Sequence, residues 1–105
     1  MRIVFMGTPE FSVPILESLI ENYEVVLVVT QPDKLVGRKK QLEETPVKKC
    51  ALKHNIPVFQ PTAIKEDYEP IIKANPDIII TAAFGQFIPK IVLECAPYKA
   101  INVHG

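Results

Sequence analysis

Short apolar runs of strand length alternate along this chain with segments of helical periodicity, and that alternation limits the fold more than any single residue does. Residues 3–6 form an apolar run closed by Gly7 and read as a buried strand. Thr8 and Pro9 can open a helix carrying Phe11, Ile15, Leu16, Leu19 and Ile20 as a stripe, with Pro14 bending it without ending it. Residues 24–30 (EVVLVVT) are β-branched and continuously apolar, as expected of a parallel strand covered on both faces. Residues 31–44 read as a polar loop. Thr45 then caps a second helix that begins at Pro46, with Val47, Ala51 and Leu52 on one face. A short strand follows at 57–59, a helix at 63–74, a strand at 77–81 (DIIIT), a short helix or turn at 88–95 and a last strand at 100–104. Strand and helix in strict alternation predict an α/β fold, a Rossmann-like doubly wound parallel sheet with right-handed crossovers.

Such a sheet binds ligands beyond the carboxyl ends of its strands, where strand order reverses. With the first strand central, four segments meet there: residues 7–11, 31–44, 82–88 and 102–105. The first segment has one glycine and Glu10 where a dinucleotide fold needs G-x-G-x-x-G, so a pyrophosphate cofactor is excluded. In the last segment Asn102 and His104 alternate along a strand and share a face. An amide can hold an oxyanion and an imidazole can move a proton, which suits acyl transfer. Taken alone the pair is a weak signal, and polar residues at a fraying strand end account for it somewhat better.

Formal net charge is 0, so attraction to a polyanion has to come from a local patch such as Arg38-Lys39-Lys40. The ten prolines stand singly between apolar runs and punctuate the chain. Cys50 and Cys95 do not make a disulfide framework. No His or second Cys is expected at metal-ligand spacing from either, so no metal site is predicted, and both thiols are taken as packing residues. Free thiols and an opening too short for a signal segment place the chain in the cytoplasm. His54 is expected on the surface at the end of the second helix.

Five motifs in order resemble the methionyl-tRNA formyltransferase family. They are Met6-Gly7-Thr8-Pro9-Glu10-Phe11; Gln31-Pro32-Asp33 with Gly37-Arg38-Lys39-Lys40 and Thr45-Pro46-Val47-Lys48; Val58-Phe59-Gln60-Pro61; the run from Thr81-Ala82-Ala83-Phe84-Gly85-Gln86 through Phe87-Ile88-Pro89-Lys90; and Ile101-Asn102-Val103-His104-Gly105. The resemblance implies transfer of a formyl group from 10-formyltetrahydrofolate to the amino group of methionyl initiator tRNA. It makes Asn102 and His104 catalytic, puts Gln86, Phe87 and Ile88 along the folate-binding edge, sets Phe11 against the methionyl side chain, and turns Arg38, Lys39 and Lys40 toward the tRNA acceptor end.

The family pattern continues beyond Gly105 with a Ser-Leu-Leu-Pro stretch, a catalytic Asp and a C-terminal β-barrel. Residues 1–105 are therefore expected to be the N-terminal part of the catalytic domain, inactive by themselves. The loop at 31–44 departs from the pattern in having Leu35-Val36 before Gly37 and no glycine between Arg38 and Lys39. Two other functions remain open on sequence: a related folate-dependent formyltransferase acting on a small amine, and a binding module that keeps only the folate crevice. Arg38-Lys39-Lys40 favours the polyanionic acceptor.

Overall fold

The computed structural model describes residues 1–104. Its frame is a five-stranded sheet in which every pairing is parallel. The strands are β1 (Arg2–Gly7), β2 (Glu24–Val29), β5 (Val58–Phe59), β6 (Ile78–Ala82) and β7 (Ala100–Asn102), in the order β5-β2-β1-β6-β7. The central first strand, flanked by its successors on either side, is the arrangement the alternation predicts.

Alternation inside β1 explains the two layers. Ile3 and Phe5 face one core with Leu16, Val47, Cys50 and Ala51; Val4 and Met6 face another with Ile64, Ile71, Phe84 and Val92. The first core is roofed by α1 (Val13–Asn22) and α2 (Pro46–Lys53), the second by α3 (Glu69–Lys73) and α4 (Lys90–Leu93). A strand covered on both sides needs apolar residues at every position, and β1 and β6 are buried almost throughout.

Several elements differ from the expectation. The Thr8 hydroxyl caps no helix: it donates to the Phe84 carbonyl at 2.6 Å, tying the end of β1 to the loop after β6. A 3-10 turn, Glu10–Ser12, comes next, and α1 starts only at Val13, so Pro14 stands in its first turn and bends nothing. Residues 31–44 are not a plain loop but carry a hairpin of β3 (Lys34–Val36) and β4 (Gln41–Glu43), antiparallel and exposed. Leu35 and Val36 are the β-formers that polar neighbours concealed. The helix expected at 63–74 shrinks to α3, because Pro70 removes an amide donor and tolerates only a first-turn position. Thr45 does cap α2, accepting from Lys48 N at 3.0 Å. Cys50, not Leu52, completes the buried face of α2, and Leu52 is exposed. No helix among the described residues is long and apolar enough to cross a membrane.

Candidate functional site

Register puts the site at one edge. Gly7 pairs with Ala82 and Thr81 with Asn102, so the ends of β1, β6 and β7 lie side by side. Gly7 is required there, since a Cβ would meet the Ala82 carbonyl oxygen at 2.8 Å. A cleft of about 410 Å³ opens beyond β6 and β7. Gln86, Phe87, Ile88 and Leu93 line it, together with Thr81 and Asn102.

The Asn102 amide is held at both ends. The Thr81 hydroxyl donates to its Oδ1 at 2.9 Å, and its Nδ2 lies 3.3 Å from His104 Nε2. With Oδ1 accepting from Thr81, Nδ2 is left as the donor end beside His104, the polarity needed to stabilise negative charge on an oxygen. The strand expected over 100–104 ends at Asn102, so His104 lies beyond β7; both residues are exposed and can be reached. Thr81 is the residue that sequence reasoning missed here; its one signal was being the lone hydroxyl at the end of an apolar strand.

Gln86 is partly buried and its amide is fully engaged. Its Oε1 accepts from Ile64 N, and its Nε2 donates to Gln31 Oε1 and to the Pro61 carbonyl, each at 2.8 Å. It lines the cleft while fastening the loop after β6 to the loops after β2 and β5. Gly85 precedes it at φ +104°, a left-handed angle that favours glycine. Phe87 is 90% exposed, a large apolar surface at the cleft mouth. Phe84, by contrast, belongs to the core.

A second polar group holds the hairpin. Asp33 accepts from Gln60 Nε2 at 2.7 Å and from Lys48 Nζ at 3.1 Å, and Lys48 also reaches Glu44 at 3.4 Å. The Gln60 hydrogen bond, with Lys48 beside it, holds the Asp33 carboxyl below its ordinary range. Asp33 in turn raises Lys48. Asp33, Lys48 and Gln60 all stand in the motifs that carry the family resemblance, but the sequence assigns them no role, because polar residues this far apart in sequence give no periodic signal.

Arg38, Lys39 and Lys40 occupy the turn between β3 and β4, all exposed. Phe11 sits in the 3-10 turn after β1, 42% exposed. The cleft thus unites Gln86, Phe87, Ile88 and Asn102, with His104 beside Asn102; Phe11 and the three cations stand outside its lining. Gly105, the last residue of the fifth motif, lies outside the described residues.

The spacing expectation for cysteine needs correction. Cys50 and His54 are four residues apart, and α2 with its C-cap brings them one turn apart on one face. Glu17 joins them from α1, and the three donor atoms lie within 4.8 Å of one another.

A parallel, doubly wound sheet with an amide and an imidazole at the rim of a largely apolar cleft defines an α/β protein whose candidate site lies at the carboxyl edge of the sheet. The chain belongs to the formyl transferase family, whose model matches residues 1–105. It is 59% identical over 99% of its length to the methionyl-tRNA formyltransferase of Bacillus cytotoxicus and to that of Bacillus mycoides. The enzyme of the same name from Bacillus thuringiensis subsp. konkukian is 57% identical over the same share. The chain spans about a third (34%) of the length of these relatives.

Proposed function

We propose that this chain is the N-terminal part of the catalytic domain of a methionyl-tRNA formyltransferase, working in the cytoplasm. Its co-substrates are 10-formyltetrahydrofolate and methionyl initiator tRNA. The observation that carries the reading is the cleft joining Gln86, Phe87 and Ile88 to Asn102, whose Nδ2 is left as the donor end beside His104.

The cleft fits a folate donor in its chemistry. Phe87, Ile88 and Leu93 offer apolar walls for a flat ring system, and Thr81 and Asn102 offer polar groups in the same lining. In the transfer, the methionyl amine forms a bond to the formyl carbon as the bond from that carbon to the donor nitrogen breaks. Asn102 Nδ2 and His104 stabilise the formyl oxygen as it gains charge. The amine's proton passes to the departing nitrogen, with His104 in its path. Phe11 packs against the methionyl side chain. Arg38, Lys39 and Lys40 meet acceptor-stem phosphates, where bidentate and point-charge contacts suit a polyanion and not a small neutral amine.

By this reading residues 1–105 alone lack activity and gain it when joined to the remainder of a relative. A chimaera in which this chain replaces the matching third of the Bacillus cytotoxicus enzyme should formylate methionyl-tRNA using the folate donor. A folded chimaera that binds both substrates and does not turn over contradicts the reading.

A further inference from the structure

Glu17, Cys50 and His54 form a cluster on the helical face opposite the folate cleft's own wall, and formyl transfer uses none of them. Three different donor types, a carboxylate oxygen, a thiol sulfur and an imidazole nitrogen, lie within 4.8 Å of one another. Cys50 and Glu17 also line a surface cleft between α1 and α2, with Cys50 buried at 6% exposure and Glu17 exposed. We propose that Glu17, Cys50 and His54 bind a divalent cation of the zinc class, with water completing a tetrahedral shell.

The donor set selects the metal. Thiolate and imidazole favour borderline-soft ions, and a single carboxylate is too little for calcium or magnesium, which take six or more oxygens. With one sulfur in the set, ligand atoms around tetrahedral zinc lie roughly 3.3–3.5 Å apart, given bonds of about 2.0 Å to nitrogen or oxygen and about 2.3 Å to sulfur. Closing the observed spacing of up to 4.8 Å takes at most about 1.5 Å of side-chain movement. Glu17 and His54 are exposed and free to make it, and buried Cys50 is the fixed point. α1 and α2 pack on each other in the same core, so the backbone already holds the three positions. Binding replaces the S–H bond with a metal–sulfur bond and releases the proton to solvent. Burial, with Glu17 adding to it, raises the Cys50 thiol, while Lys53 opposes this. The cation reverses Glu17's effect by neutralising its charge.

Cobalt(II) is the probe, since its bond to a thiolate gives a charge-transfer absorption that spectroscopy reads directly. The full chain should bind one equivalent with that band, and zinc should displace it. Cys50→Ser should abolish the band, and Cys95→Ser should leave it intact. His54→Ala and Glu17→Gln alter exposed side chains and spare the fold; each should weaken cobalt binding at least about tenfold, the lower end of what even outer partners of metal ligands produce. Absence of the band at saturating cobalt overturns the proposal. So does an affinity unchanged in both His54→Ala and Glu17→Gln, or loss of the band in Cys95→Ser.

Discussion

At the scale of single residues, the site depends on side chains whose polar atoms are fixed before any ligand arrives. Thr81 aligns the Asn102 amide, and Gln86 joins three loops with one carboxamide. Gly85 makes the second arrangement possible. Its φ is +104°, and a Cβ there would meet Gln31 Nε2 at 2.6 Å. Gln31 cannot simply swing away, because its Oε1 already accepts from Gln86. Gly85→Ala therefore combines backbone strain with a broken carboxamide pair and should destabilise the fold by about 1–3 kcal/mol. Urea unfolding measures this; a change within about 0.5 kcal/mol, the range of an ordinary surface substitution, contradicts the account.

Among the elements, the hairpin of β3 and β4 has no buried residue of its own and is held from its base. Asp33, Lys48 and Gln60 form that anchor. Asp33 titrates below its ordinary value when folded, so its contribution is present above that value and is lost as pH falls through the lowered one. Lys48 is raised, so its contribution is present below the ordinary lysine value and is lost as pH rises through the raised one. The pair acts across the whole range between. Asp33→Asn should accordingly be less stable than wild type at neutral pH, with the gap closing well below the carboxylate range. Denaturant unfolding at both conditions checks it, and a gap that persists in acid contradicts it. The hairpin also shows where sequence reading stops. β1, β2 and β6 were legible because burial on both faces leaves a continuous apolar run. The hairpin was not, since a short exposed strand gains its order from tertiary anchors and not from its own pattern. α3 was overread because Ile64, Tyr68, Ile71 and Ile72 fall at helical spacing, whereas Pro70 fits only a first turn and so delays the helix to Glu69.

For the molecule as a whole, the sheet order follows from alternation and the right-handed crossover, and it delivers the predicted segments to one edge. Asn102 stands out in the sequence as an amide at the end of an apolar strand, and only the family resemblance turns that oddity into an expected catalytic role. The hydrogen bonds around the site were not legible, because Thr81 meets Asn102 across 21 residues of sequence and Gln86 meets Gln31 across 55. The central claim is a division of labour, in which the β7 edge does chemistry and the hairpin tip captures tRNA. The most direct test is turnover at saturating tRNA in the chimaera with the Bacillus cytotoxicus enzyme. Asn102→Ala removes one oxyanion donor and should lower kcat on the order of a hundredfold or more. His104→Ala should cost at least as much. Arg38→Ala should leave kcat near wild type and raise KM for tRNA, with a penalty that shrinks as salt rises. If Arg38→Ala lowers kcat as far as Asn102→Ala does, or if Asn102→Ala is silent, the division is wrong.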